Sequence, residues 1–239
     1  MLLLIQHDNV RRNESILGEN MFGQLSMEGR EVAPANGGKA EWLVLFLHGV
    51  GADANDLIGL SDEFTDILPN AHFISPNAPF MCDMAPMGRQ WFSLQSREVA
   101  HMLTGIEASV PLLNAFIDAK LAAHQLPIEK LIVIGFSQGT MMALHTLLRR
   151  DAACAAIIGY SGAMVASRKL VEEITAKPPV CLVHGDADMV VPFAAMADAQ
   201  AALHKAGVLV EAYGVEDMGH TISGESIVIA REFLKKHVI

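Results

Sequence analysis

From Glu41 onward, short apolar runs alternate with stretches whose apolar residues recur at helical spacing. The apolar runs show no period-two alternation, which indicates strands buried on both faces of a sheet. The predicted strands are 41–49, 71–79, 130–136, 153–162, 179–188 and 208–214. The predicted helices are 56–68, 98–124, 137–150, 192–207 and 225–237. This alternation predicts an α/β fold with a mostly parallel central sheet and helices on both faces.

Two stretches fit this scheme less simply. Pro111 lies inside the long predicted helix 98–124, where a kink or a break into two helices is expected because proline cannot donate a backbone hydrogen bond. Residues 76–97 show no clear element, although Phe80, Trp91 and Phe92 favour a packed loop over a disordered one. Loops of this length in compact domains are often functional.

Residues 1–30 are polar with weak periodicity, so we expect a peripheral N-terminal segment followed by a single catalytic domain over residues 31–239. The apolar run after Met1 is too short for a signal-peptide core, and no run elsewhere reaches the length of a membrane span. The sequence therefore predicts no stable membrane insertion and favours the cytoplasm.

Composition narrows the classes of function. Apolar residues make up 51% of the chain and charged residues 18%, which suits a large core. The formal net charge of −10 argues against a nucleic-acid partner, because binding to phosphates needs lysine and arginine. Cys82, Cys154 and Cys181 form no C-x-x-C pair, and the last two lie in apolar runs typical of small buried side chains.

The segment Gly135-Phe136-Ser137-Gln138-Gly139 matches the G-x-S-x-G pattern of a nucleophile elbow. In this motif a sharp strand-to-helix turn exposes the serine hydroxyl, and small flanking residues let the strand and helix approach. A buried strand precedes Ser137 and a helix follows it, as the motif requires. The alternative is that Ser137 simply caps the helix. Ser161, in "GYSGA", lacks the second glycine and is expected to end the next strand.

A serine nucleophile needs a base, and the base needs an orienting carboxylate. On a nucleophile-elbow fold these follow in the order Ser, Asp or Glu, His. His220 lies in a glycine turn between the last predicted strand and helix. Asp186 and Asp188 both follow a buried strand, and we favour Asp188 because it is better placed to reach over the strand end. The pair Asp186 and Asp188 is a weak metal motif, since no EF-hand spacing follows.

The oxyanion hole is predicted to use two backbone N–H groups. One belongs to Gln138, which follows the nucleophile, and the other to Val50 in the glycine-containing loop after the first predicted strand. His48 begins that loop, and we expect it to shape the loop rather than to move protons.

Five segments, in order, resemble the bacterial phospholipase/carboxylesterase family of α/β hydrolases, which is related to acyl-protein thioesterases. They are "LHGVGADANDLIGL", "GRQWFSL", "GFSQGTMMALH", "VHGDADMVVP" and "MGHTI", and the resemblance covers about residues 30–237. It implies an α/β-hydrolase fold with Ser137, Asp188 and His220 as the triad and the Val50 and Gln138 amides as the oxyanion hole. Met189 and Ser93 stand where many relatives carry proline and aspartate, which could alter the substrate pocket.

We therefore predict a serine carboxylesterase that hydrolyses small-molecule carboxylic esters through an acyl-enzyme, with no metal or organic cofactor. Trp91, Phe92 and Met189 are the predicted substrate contacts, together with Met81, Met84 and Met87. Plain core packing is the alternative for Trp91 and Phe92. Two other functions stay open: a lysophospholipase or acyl-thioesterase with the same triad, and a catalytically silent binding protein on a hydrolase fold. The sequence also leaves open whether the chain forms a homodimer.

Overall fold

The computed structural model describes residues 27–239, and their centre is a seven-stranded sheet. The strands are β1 (Gly29–Val32), β2 (Trp42–Leu47), β3 (Ala71–Pro76), β4 (Phe80–Met81), β5 (Arg89–Gln90), β6 (Leu131–Phe136), β7 (Ala156–Tyr160), β8 (Val180–Gly185) and β9 (Val210–Val215). The order in the central sheet is β1-β3-β2-β6-β7-β8-β9, in which β1 runs antiparallel to β3 and every other neighbouring pair is parallel. The predicted mostly parallel α/β architecture is confirmed.

Helices cover both faces of the sheet. They are α1 (Ala54–Ile58), α2 (Ser61–Phe64), α3 (Val99–His124), α4 (Gln138–Leu147), α5 (Leu170–Glu173), α6 (Ala194–Lys205) and α7 (Gly224–His237), with short 3₁₀ turns at Ile128–Lys130 and Ser167–Lys169. One apolar cluster joins the sheet to α3, α4 and α6, and a second joins the opposite face to α1, α2 and α7. Each fully buried leucine, isoleucine or phenylalanine in these clusters contributes roughly 1.5–3 kcal/mol of transfer free energy.

The long helix α3 continues through Pro111 as one element, so of the two expected outcomes, a kink or a break, the break into two helices is wrong. Its buried residues Ile106, Leu113, Ile117 and Leu121 recur at helical spacing and pack into the first apolar cluster. Packing along this whole face holds the helix together across the hydrogen bond that proline cannot make.

The predicted helix 56–68 is instead two short helices. Helix α1 begins earlier, because the side chain of Asp53 accepts a hydrogen bond from the Asn55 N–H and caps its N-terminus. It ends at Gly59, and a new turn of helix starts at Ser61. Glycine is a poor helix former, which accounts for the division.

The sheet begins two residues before the predicted domain boundary. Gly29 and Arg30 already pair with Pro76 and Ser75 of β3, so a boundary between residues 30 and 31 divides a strand. Residues 1–26 of the predicted peripheral segment lie outside the described residues. A catalytic domain beginning near residue 29 is therefore our revised expectation.

The 76–97 loop carries a small hairpin, formed by β4 and β5, that the sequence did not predict. Its packed character is as expected, since Trp91 and Phe92 are fully buried in the first apolar cluster. Cys154 and Cys181 are also buried, and burial raises the pKa of each thiol to about 12. In residues 27–239 no helix combines the length and apolarity needed to cross a bilayer.

Candidate active site

Ser137 forms the turn between β6 and α4 with a strained backbone, φ 53° and ψ −114°. Its N–H donates to the carbonyl of Tyr160 on the neighbouring strand at 2.9 Å, and its own carbonyl accepts from the N–H of Met141 in the first turn of α4 at 3.2 Å. A non-glycine residue at positive φ is uncommon and persists only where its surroundings hold it. Here a strand and a helix hold the turn from both sides.

Close packing explains the two glycines that flank Ser137. A Cβ atom on Gly139 would lie 1.9 Å from the carbonyl oxygen of Leu47 on β2, and one on Gly135 would lie 2.6 Å from the backbone nitrogen of Thr140. Both distances are far below van der Waals contact with backbone atoms. Residues larger than glycine would push α4 away from the sheet and move the serine.

The structure brings Ser137, His220 and Asp188 together at the carboxyl ends of β6, β9 and β8. The Ser137 Oγ lies 3.0 Å from His220 Nε2, and His220 Nδ1 lies 2.7 Å from Asp188 Oδ2. The ring of Phe136 packs against the His220 ring with centroids 4.9 Å apart. Hydroxyl, imidazole and carboxylate thus form one hydrogen-bonded chain in the order that proton transfer from serine requires.

Asp188 is a buried carboxylate with a full set of donors. Its Oδ1 accepts from the backbone N–H groups of Val190 at 2.8 Å and Val191 at 2.9 Å, while Oδ2 faces His220. Burial raises the pKa of Asp188, but the hydrogen bonds from His220, Val191 and Val190 outweigh it and leave the pKa below its usual value. The carboxylate is therefore ionised near neutral pH, as the orienting partner of an imidazole must be.

Asp186 makes a contact between two loops. It is exposed, and its Oδ1 accepts a hydrogen bond from the N–H of Asp217 at 2.8 Å, which links the loop after β8 to the loop that carries His220. Of the two candidate aspartates, Asp188 is the one in contact with His220.

His184 is a second imidazole beside Asp188 that was not predicted from the sequence. Its side chain is fully buried, and its Nε2 lies 3.0 Å from the carbonyl oxygen of Val191 and 3.2 Å from Asp188 Oδ2. Because a carbonyl oxygen can only accept, Nε2 carries a proton and points toward both oxygens. The signal was present in the sequence as a histidine at the end of a buried strand, four residues before Asp188.

The two predicted oxyanion donors also lie at this edge of the sheet. Within residues 27–239, the backbone N–H groups of Val50 and Gln138 have no hydrogen-bond acceptor. Free amides at such positions suit a developing negative charge. The buried ring of His48 shapes the loop that carries Val50: its Nδ1 lies 2.7 Å from the Gly49 carbonyl oxygen, and its Nε2 accepts from the N–H of Ala78 at 3.0 Å. Burial lowers the pKa of His48, so it is neutral, as predicted for a structural residue.

Trp91 and Phe92 pack in the core instead of lining an open pocket. Both side chains are at most 1% exposed, so the packing alternative describes them. Their backbone matters for the site, however. The side-chain oxygen of Gln138 accepts from the Trp91 N–H at 2.8 Å, and its amide nitrogen donates to the Phe92 carbonyl at 2.7 Å. The Gln138 side chain therefore holds the 76–97 loop next to Ser137, a role that the sequence did not reveal.

The methionines predicted to contact substrate are exposed. Met189, directly after Asp188, is 95% exposed. Met81, Met84 and Met87 on the 76–97 loop are also exposed. Side chains of this kind are adaptable apolar contacts, and as substrate contacts they remain predictions.

Comparison with known proteins agrees with this geometry. The sequence profile of the phospholipase/carboxylesterase family matches residues 28–238. The chain belongs to this family. Family membership confirms the predicted enzyme class, a carboxylic-ester hydrolase, and the predicted α/β-hydrolase fold.

Individual relatives of the chain are named esterases or acyl-protein thioesterases. Esterase YpfH of Escherichia coli (strain K12) is 28% identical over 196 residues, which are 82% of this chain and 83% of that protein. Acyl-protein thioesterase 1 homolog 1 of Dictyostelium discoideum is 26% identical over 204 residues, covering 81% of this chain and 89% of its own length. Among solved structures, esterase PE8 superposes with a TM-score of 0.85 and 38% identity, covering 89% of this chain and 99% of that one.

Proposed function

We propose that this family member hydrolyses small-molecule carboxylic esters through an acyl-enzyme formed on Ser137, with His220 as general base and acid and Asp188 as the orienting carboxylate. The observation that carries the proposal is the hydrogen-bonded chain from Ser137 Oγ through His220 to Asp188, at 3.0 and 2.7 Å. A serine that merely capped α4 would not need a positive φ or an imidazole on its hydroxyl.

In the first half of the reaction, Ser137 Oγ attacks the ester carbonyl and His220 Nε2 takes the hydroxyl proton. The C–O π bond opens onto the carbonyl oxygen, and the resulting oxyanion accepts hydrogen bonds from the Val50 and Gln138 N–H groups. Each such donor is typically worth about 3 kcal/mol of transition-state stabilisation. Asp188 stabilises the imidazolium that forms and holds its ring in place.

The tetrahedral intermediate then expels the alcohol, which takes the proton from His220 Nε2 and leaves Ser137 esterified. In the second half, water gives a proton to His220 and attacks the acyl carbon. Collapse of the second intermediate returns the proton to Ser137 and releases the acid. All protons are carried by His220 and all other bonding changes occur at the acyl carbon.

An acyl thioester is the second candidate substrate, because the same steps cleave a thioester and some relatives are named acyl-protein thioesterases. A lysophospholipid ester is a further alternative with the same chemistry. Cytoplasmic location and a homodimer remain expectations that accompany this proposal.

The test is hydrolysis of a p-nitrophenyl ester series from acetate to palmitate, beside an acyl-coenzyme A series of matched chain lengths. We expect ester hydrolysis by the wild type and a loss of about 10⁴-fold or more in kcat for Ser137→Ala. A fluorophosphonate probe should label the peptide that contains Ser137. The ratio of kcat/KM values between matched esters and thioesters decides between the two substrate classes.

Ser161→Ala is the matched control. Ser161 is also a buried serine at positive φ, 46°, at the end of the neighbouring strand β7, but its hydroxyl contacts no polar partner within residues 27–239. It should keep its activity within a few-fold. Undiminished activity in Ser137→Ala would disprove the assignment, and a wild type inactive on every chain length would favour the silent binding protein.

A further inference from the structure

A second cluster of imidazole and carboxylate groups lies away from the active site, at the side of the sheet where β1 forms the edge. It consists of Glu31 on β1, His72 at the start of β3 and His124 at the end of α3. One potential ligand atom from each residue lies within 4.8 Å of the other two. The rings of His72 and His124 have centroids 4.2 Å apart, and His72 Nε2 lies 2.7 Å from Glu31 Oε2.

The fold itself brings these three side chains to one place. Glu31 pairs with Ile74 in the antiparallel register of β1 and β3, and His72 lies two residues before Ile74, on the same face of the sheet. Glu31 and His72 are therefore diagonal cross-strand neighbours. Helix α3 packs on this face through Ile117 and Leu121. Its last turn places His124 beside Glu31 and His72.

From this convergence we propose that Glu31, His72 and His124 form a binding site for one divalent transition-metal ion of the zinc type. Two imidazole nitrogens and a carboxylate oxygen are a ligand set that zinc accepts, with water completing a four-coordinate shell. Ligand atoms around a tetrahedral zinc ion lie about 3.3 Å apart, from zinc–ligand bonds of about 2.0 Å. The potential ligand atoms of Glu31, His72 and His124 lie within 4.8 Å of one another, so zinc binding requires them to move closer by up to about 1.5 Å.

His124 is available as a ligand. Its ring makes no hydrogen bond within residues 27–239. The C-terminal end of α3 adds partial negative charge that favours a bound cation.

Lys120 is a competitor built into the site. It lies one helical turn before His124, and its ammonium group makes an ion pair with Glu31 Oε1. A metal ion must displace this lysine from the carboxylate before Glu31 can become a full ligand. When bound, the ion would connect the exposed edge strand β1 to α3 and stabilise that side of the sheet.

Zinc titration of the purified full chain tests the proposal, by calorimetry and by thermal unfolding in buffer without chelator or phosphate. The wild type should bind one zinc ion per chain in this site and should melt at a higher temperature with zinc. His72→Ala and His124→Ala should each weaken binding by about tenfold or more and lose the thermal shift, because even second-sphere changes have effects of that size. Circular dichroism checks that each variant is folded.

Lys120→Met sharpens the test, because removing the competing cation should tighten zinc binding several-fold. His101→Ala is the control: His101 is exposed near the other end of the same helix α3 and should leave zinc affinity unchanged. The proposal fails if the wild type shows no zinc binding, or if His72→Ala and His124→Ala bind zinc as the wild type does. Unchanged affinity in Lys120→Met would likewise overturn the assignment of Glu31 as a ligand.

Discussion

In two regions of the described structure a carboxylate lies beside two imidazoles, but the two carboxylates differ in burial and in their other partners. At the active site, Asp188 lies against His220 and His184, with its side chain fully buried and two backbone N–H groups on its other oxygen. At the β1 edge, Glu31 lies near His72 and His124, with its side chain 37% exposed and a lysine on its other oxygen. Fixed backbone donors and burial hold Asp188 in one geometry, whereas Glu31 has a partner that can move away.

The comparison shows how surroundings distinguish the carboxylate proposed to orient His220 from the carboxylate proposed to bind a metal ion. Asp188 suits the proposed orienting role because two of its partners are backbone N–H groups, of Val190 and Val191, which hold the carboxylate in place. Glu31 can exchange partners, since a surface ion pair between flexible side chains contributes little, typically 0–1 kcal/mol. The same residue types therefore support different chemistry in the two places.

Neutralising each carboxylate is the strongest test of this contrast. Asp188→Asn should lower kcat/KM for a p-nitrophenyl ester by about 10⁴-fold, because the amide cannot stabilise the imidazolium and favours the wrong tautomer. Glu31→Gln should leave kcat/KM within about twofold of the wild type. Steady-state kinetics of the two variants measure both effects. Equal losses in the two variants, or nearly full activity in Asp188→Asn, would erase the distinction.

A smaller effect is expected from His184, which donates toward Asp188 and the Val191 carbonyl. His184→Ala should lower kcat by roughly 10–100-fold and leave KM nearly unchanged, since a hydrogen bond to a charged group contributes about 1.5–3 kcal/mol. His184→Gln should recover part of the loss, because its amide N–H can donate in place of Nε2. His204→Ala, an exposed histidine on α6, is the control. A normal kcat in His184→Ala would show that the contact between His184 and Asp188 does not contribute to catalysis.

One more imidazole, that of His145, sharpens the comparison because it is buried and has no carboxylate among the described residues as a hydrogen-bond partner. His145 on α4 has an unpartnered Nδ1 within residues 27–239. Burial, and then the charge of Arg149, lower the pKa of His145 from 6.5 to about 4. The unfolded chain therefore binds a proton more readily than the folded chain does between these values. Stability should be unaffected above about pH 6.5 and should fall as the pH drops toward 4.

Near pH 5, the lowered pKa of His145 should reduce the free energy of unfolding by about 2 kcal/mol, from 1.36 kcal/mol per unit of pKa difference. Urea unfolding near pH 7.5 and pH 5 measures it. His145→Gln has no group that titrates there, so its free energy of unfolding should change less between the two pH values than that of the wild type. An equal change in both proteins would mean that other groups cause the acid sensitivity.

Much of the fold and of the candidate site was predictable from local signals. The glycines around Ser137, the buried strands before Asp188 and His220, and the chain order of the three residues all lie within short stretches of sequence. The position of Asp188 favours it over Asp186, the family resemblance adds weight to it, and the hydrogen bond to His220 agrees.

What escaped prediction depends on contacts between distant segments. The β1 strand is four residues long and exposed throughout, so it has no hydrophobic pattern to reveal it. The Glu31, His72 and His124 cluster follows from the register of that strand and from the end of a helix. Trp91 and Phe92 look the same in sequence whether they line a pocket or fill a core, and only the packing of α3 and α4 decides between these.

The antiparallel direction of β1 has a practical consequence for protein engineering. Because Gly29 pairs with Pro76 at the carboxyl end of β3, and the Glu28 carbonyl accepts from the Asn77 N–H at 2.7 Å, the chain enters the sheet on the catalytic side. Helix α7 begins near His220 and runs toward the opposite side. A fusion partner attached just ahead of Glu28 would therefore start on the side of the sheet where Ser137 lies, whereas one attached after α7 would start on the opposite side.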